Sequence, residues 1–221
     1  MNIKKSINQF VEGNGKNKGI NPNERYASFD FCYNYFHSFY KKNKLSELAN
    51  EDNIQMSCLQ IGFYLSSWGM MRGSSFLLEK SVKNFSNLIT TISKMDAKLW
   101  EIDVPDYNEE NVELLLGCKQ QIINAFEGNK PTNTLVTKIM LGVFANVPAY
   151  DGRFKNFLKY NKYCQTFNKT SLKQIKEFYL ENKNDFDSFK IYTLDFLTTH
   201  KTDNIYTKAK LIDMCGFISG Q

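Results

Sequence analysis

Apolar residues recur along most of this chain at the three-and-four spacing of amphipathic helices. Asn21-Pro22-Asn23-Glu24 reads as a helix start: Asn21 caps, Pro22 takes the first helical position and Glu24 completes a capping box. Tyr26, Phe29, Tyr33, Phe36 and Tyr40 follow on one stripe, so the helix is predicted to reach Lys42. A second helix fits 51–67 through Ile54, Cys58, Ile61 and Leu65, and the two glycines of Trp68-Gly69-Met70-Met71-Arg72-Gly73-Ser74-Ser75 break it. Phe76, Leu77, Val82, Phe85, Leu88 and Ile92 predict a helix over 75–94. After an acidic segment containing Pro105, Asn108 caps a helix over 109–126, with Gly128 as its stop. Thr132 begins the helix 133–145, Asp151 begins 152–163, and Thr170 or Ser171 begins one reaching the low 180s; 185–199 and 206–217 complete the set. Residues 12–19, EGNGKNKG, read as a mobile loop.

Neither internal repeats nor heptads occur, and the strand–helix alternation of a parallel sheet is missing. The expected fold is all-α and multi-helix. A chain of 221 residues suits a single all-helical domain, with 20–105 and 106–221 as candidate lobes around a cleft.

Composition adds to this picture in three places. Phe and Tyr are abundant at 18 and 12, and only 4 Pro occur, which favours helices with aromatic cores. Charge is uneven: residues 1–50 hold 8 basic and 4 acidic side chains, 51–151 hold 8 and 12, and 152–221 hold 12 and 7. Both ends of the chain therefore offer a basic face, a footprint for nucleic acid or simply a solvated lysine surface. The 5 cysteines (Cys32, Cys58, Cys118, Cys164, Cys215) have no metal-ligand or redox spacing, and with 2 histidines no zinc site is expected. Buried, reduced thiols and the lack of a signal-like or membrane-length apolar run lead to the expectation of a cytoplasmic, soluble monomer without membrane partner, metal or cofactor.

Candidate chemistry concentrates in 127–163, EGNKPTNTLVTKIMLGVFANVPAYDGRFKNFLKYNKY. A polar hairpin precedes an apolar helix, and a tight loop then ends at Asp151. The next helix carries Arg153, Lys155, Lys159 and Lys162 with no acid from Gly152 to Lys162. One carboxylate thus stands at the mouth of a cationic helix, an arrangement suited to stabilising positive charge on a sugar while holding a polyanion. Asp is also a preferred helix N-cap. The two roles are compatible.

Helix, hairpin, helix, Pro-containing loop, Asp, helix: in this order, segment 109–163 resembles the helix-hairpin-helix DNA glycosylase superfamily. The matching residues are Gly128-Asn129-Lys130-Pro131-Thr132 for the hairpin, Thr137-Lys138-Ile139 in the next helix and Val147-Pro148-Ala149-Tyr150-Asp151 for the loop, with Arg153 two positions on. The chain departs from the family by keeping one hairpin glycine, Gly128, and by lacking the four-cysteine cluster of some members. The N-terminal half also resembles divergent bacterial anti-phage glycosylases that remove hypermodified bases.

This resemblance implies that a flipped damaged or modified base is excised from duplex DNA to leave an abasic site. It places Asp151 at the sugar and Lys130, Lys138, Arg153, Lys155 and Lys159 on the DNA. Lys138 occupies the position of the Schiff-base lysine in bifunctional members, but it is read here as a solvated surface lysine, so a monofunctional enzyme is expected. Trp68 and Arg72 offer a stacking plane and a phosphate or base-edge contact, or else core packing and a cap. Asn23, Glu24, Arg25 and Tyr26 cluster at a helix start and offer polar groups to a base pocket, or else a cap over a buried aromatic. With Trp68 and Tyr150, Asn23, Glu24 and Tyr26 make the candidate base pocket. A non-catalytic helical nucleic-acid-binding protein is the alternative.

Overall fold

The computed structural model describes residues 2–15 and 18–221. Lys16 and Asn17, inside the expected mobile loop, lie outside the described residues. The fold is mostly helical, and its one sheet among the described residues has two strands.

The first helix, α1 (Ile3–Glu12), was not expected from the sequence. Asn2 caps it by accepting from Lys5 N at 2.9 Å, and Ile3, Ile7 and Phe10 bury one stripe. The aromatic helix begins later than predicted, as α2 (Ala27–Lys41). Residues 21–26 instead make successive turns, with Glu24 N on Asn21 O at 2.9 Å and Ala27 N on Glu24 O at 3.1 Å. The Asn21 side chain accepts from Asn23 N at 3.1 Å, and the Glu24 carboxylate is paired with Lys18 at 2.7 Å, so the expected capping box does not form.

Helix α3 (Glu51–Ser67) follows, as predicted. The helix expected over 75–94 is broken into two 3₁₀ turns, Phe76–Glu79 and Val82–Phe85, before α4 (Ser86–Ile92). Ser75 Oγ caps the first turn by accepting from Leu77 N, and extended backbone at Lys80 and Ser81, ψ 141° and 165°, separates the two turns. Helices α5 (Glu109–Asn124) and α6 (Asn133–Phe144) flank the connection that holds Gly128 and Lys130, with Asn108 and Thr132 as the expected caps. Then come α7 (Gly152–Tyr160), α8 (Lys169–Glu181) and the short α9 (Lys183–Asp187).

The helix predicted over 185–199 is replaced by a hairpin of β1 (Tyr192–Leu194) and β2 (Lys201–Ile205), antiparallel with Tyr192 opposite Ile205. Asp195 decides this locally. Its carboxylate takes the N–H groups of Leu197 and Thr198 at 3.1 and 2.8 Å, turning the chain where a helix would continue. The chain closes with α10 (Lys208–Ser219).

Helices α6 and α10 form the centre, since both are buried on every face from Leu135 to Phe144 and from Ala209 to Ile218. Around them α1 and α7 lie on α10, while α2 and α3 lie on α6. The α3–α6 approach depends on Gly142, where an added Cβ would stand 2.4 Å from the buried Tyr64 ring. Four of the cysteines are buried, and Cys164 is half-buried.

Asp30 ties α2 to the hairpin and to the start of α10. Its carboxylate accepts from Tyr206 Oη and from Leu194 N, the latter at 2.9 Å. Burial pushes its pKa up to about 7, against those hydrogen bonds and the Lys210 charge, which pull it down. Between the ordinary carboxylate value of 3.8 and about 7, the folded chain therefore keeps a proton that the unfolded chain has lost. This group makes stability fall as pH rises through that window. Melting temperatures of Asp30→Asn should lack that part of the fall, and an unchanged pH slope would refute the assignment.

Candidate functional site

Asp151 lies where three elements meet. As N-cap of α7, its Oδ1 accepts from Arg153 N and Phe154 N, each at 3.1 Å. Its Oδ2 accepts from Lys138 Nζ at 3.0 Å, reaching across from α6. The Asp151 side chain keeps 20% of its surface, while Lys138 keeps 4%. Lys138 is therefore not the solvated surface lysine expected from the sequence. α6 is buried all round, and its one cation has turned to the nearest carboxylate, as a buried charge must.

The carboxylate opens onto a cleft of about 560 Å³. One wall is the end of α3 and the loop after it, from Ser66 to Arg72. The opposite wall is Thr134 and Lys138 of α6 with Asp151, Gly152 and Arg153 at the start of α7; Arg25 and Phe217 close the ends. Of the charged side chains on these walls, Arg25, Arg72, Arg153 and Lys138 are cationic and Asp151 alone is anionic. Gly69 makes the loop wall feasible: its φ is +74°, and a Cβ there would stand 2.8 Å from Arg72 Nε, so the guanidinium folds over bare backbone.

Trp68 supplies an aromatic wall. Its ring stacks on Tyr26 at 5.4 Å, Tyr26 stacks on Phe10 at 4.3 Å, and Phe217 meets Trp68 edge-on. Arg25, Lys138 and Lys210 all approach the Trp68 ring, at 5.4, 5.2 and 5.5 Å. Arg153 covers Phe217 at 4.3 Å. These cation–π contacts hold Arg25 and Arg153 at the cleft without neutralising them.

The structure brings together Asp151, Lys138, Arg153, Trp68 and Arg72 from the sequence-predicted set. It sets Lys130 in an adjoining cavity of about 490 Å³ that shares Gly69, Met70 and Arg72 with the first. The other members of the expected base pocket are not on its walls. Tyr150 is fully buried with its hydroxyl 2.8 Å from Ser171 Oγ, because the loop turns it away from the Asp151 side chain. Tyr26 is buried under Trp68, Asn23 is an exposed turn residue, and Glu24 is bound to Lys18. Lys155 and Lys159 lie further along α7 and do not line the cleft.

Arg25, singled out in the sequence only as part of the 23–26 cluster, does reach it. The turns over 21–26 project it differently from the helix expected there. Its signal was its place directly before an aromatic residue. Phe217, from the last helix, carried no signal at all.

Comparison with models of protein families, with curated proteins and with solved structures returns no match to this chain. Among the described residues, no helix is long and apolar enough to cross a membrane.

Proposed function

We propose that this chain is a monofunctional DNA glycosylase, acting in the cytoplasm as a monomer, in which Asp151 serves the deoxyribose of a flipped nucleotide. The observation that carries the reading is a single carboxylate on a cleft otherwise charged by three arginines and a lysine. Guanidinium groups suit the phosphates on either side of an extruded nucleotide, and the half-buried Trp68 suits a base face. A cleft of about 560 Å³ lies in the size range of small-ligand sites.

In the proposed reaction the C1′–N bond breaks and its electron pair leaves with the base. Asp151 opposes the positive charge that develops on the sugar. Water then adds at C1′, and its proton passes to the carboxylate, which acts as general base. The substrate class is a damaged base or a phage-type modified cytosine, which places the activity in repair or phage defence.

Lys138 supports hydrolysis without strand cleavage. Its Nζ is engaged with Asp151 at 3.0 Å, and a lysine nucleophile would have to leave that partner to attack C1′. Borohydride added during turnover should leave no covalent protein–DNA conjugate. A conjugate that disappears in Lys138→Met would move the reaction to the lyase branch.

The test of the whole reading is to incubate the protein with unmodified, damaged and hypermodified duplexes and then heat with alkali. Alkali-labile sites that require Asp151 support a glycosylase. Salt-sensitive binding without such sites supports a non-catalytic nucleic-acid-binding protein instead.

A further inference from the structure

Behind the cleft lies a second buried ion pair that the proposed chemistry does not use. Lys210 and Asp213 sit one turn apart on α10, with Nζ 3.2 Å from Oδ2 and side chains 2% and 11% exposed. The other oxygen of Asp213 accepts from Ala149 N at 3.0 Å. Ala149 is two residues before Asp151, inside the loop that presents the carboxylate.

That loop is held at several points by side chains. Thr207 Oγ1 donates to Ala145 O at 2.6 Å, Tyr107 Oη donates to Asn146 O at 2.6 Å, and Tyr150 N donates to Thr137 Oγ1 at 2.8 Å. Asp213 is the charged member of this set, and its bond falls nearest to Asp151 from the α10 side. A hydrogen bond to an ionised acceptor is roughly twice as strong as a neutral one. Lys210 in turn sits over Phe29 at 4.4 Å and Phe10 at 5.1 Å, and it shares the Trp68 ring with Lys138. The pair on α10 thus touches both the backbone behind Asp151 and the aromatic wall beside it.

We propose that Asp213, anchored by Lys210, is a positioning residue that fixes the Ala149–Asp151 loop so that the Asp151 carboxylate meets the sugar in productive geometry. This rests on the base-excision reading above. Misplacing a catalytic group by about 1 Å costs on the order of 10²-fold in rate. The effect therefore belongs to the chemical step and leaves DNA affinity alone.

Single substitutions here would leave a buried charge without its partner, so the experiment uses two double variants. Lys210→Met with Asp213→Asn removes both charges but keeps a carbonyl acceptor for Ala149 N. Lys210→Met with Asp213→Ala removes the acceptor as well. Single-turnover excision should stay within about threefold of wild type in the first and fall about 10–10²-fold in the second, with equal DNA dissociation constants in both. Amide exchange at Ala149 should be faster in the second variant only. Equal excision rates in two folded double variants, beside an active wild type, overturn the assignment of Asp213. A wild-type protein that releases no base from any duplex overturns the base-excision reading, and the positioning role goes with it.

Discussion

Asp151→Asn is expected to slow base release about 10²–10⁴-fold, the range for removing a positioned general base, while leaving DNA binding and the fold in place. Asn is as good an N-cap as Asp. Its carbonyl oxygen can keep the bonds from Arg153 N and Phe154 N, so α7 should still start at Gly152. The charge facing the cleft is lost, and with it both the counter-charge for the sugar and the acceptor for the water proton. Lys138 also loses its ionic partner, so a second variant separates stability from chemistry. Lys138→Met combined with Asp151→Asn removes the unpaired ammonium, and its thermal stability should exceed that of Asp151→Asn alone. Its excision rate should remain at the Asp151→Asn level. Single-turnover assays decide the matter: a rate within threefold of wild type for Asp151→Asn would leave the residue as a helix cap only.

The second large effect is on stability. Lys210→Met should cost about 3–5 kcal/mol, the range for removing one partner of a buried ion pair, which for a chain of this size is a loss of roughly 6–20 °C in Tm. The methionine itself suits its surroundings, since Phe10, Phe29 and Trp68 line the site. The penalty comes from Asp213, left nearly buried with its charge and only the Ala149 N–H as partner. Adding Asp213→Asn should recover most of the loss, because two neutral groups of similar volume replace the pair. Denaturant titration of the wild type, both single variants and the double variant gives the coupling directly. A loss below about 1 kcal/mol in Lys210→Met would show that the pair behaves as though solvated.

Lys210 also predicts a pH effect of opposite sign to that of Asp30. Burial lowers its pKa, although Asp213 and Asp30 raise it and Lys138 lowers it further. Below its ordinary value of 10.5, the unfolded chain then holds a proton that the folded chain has released. This group's contribution to stability rises with pH in that alkaline window. Lys210→Met should remove that rise.

Local chemistry explains why parts of this protein were readable without coordinates. The caps at Asn108, Thr132 and Asp151 act within three residues of themselves, through a side-chain oxygen and nearby N–H groups. The all-helical character and the spans of α3, α5 and α6 follow from apolar periodicity over more than ten residues each. Asp151 stood out for the same local reason, being a lone acid before a cationic helix. Where two local signals competed, the sequence misled. Pro22 and Glu24 matched a helix start, but the side chains of Asn21 and Glu24 found other partners. Apolar residues over 185–199 matched a helix, while Asp195 drew the chain into a hairpin.

The site itself depends on pairs far apart in the chain. A lysine on an apolar helix reads as solvated until the fold buries it and sets the Asp151 carboxylate, at the start of α7, 3.0 Å away. Arg25, Trp68 and Phe217 meet at the cleft from the start, the middle and the end of the chain, and the aromatic character of Trp68 and Phe217 marks them equally as core. Residue order was enough for α3, α5 and α6, for the caps at Asn108, Thr132 and Asp151, and for marking Asp151 as a lone acid before a cationic helix. The cationic cleft, the burial of Lys138 and Lys210, and the removal of Tyr150 from the site come from helix docking, because desolvation and charge pairing are set by what lies across the fold and not by the neighbours along it.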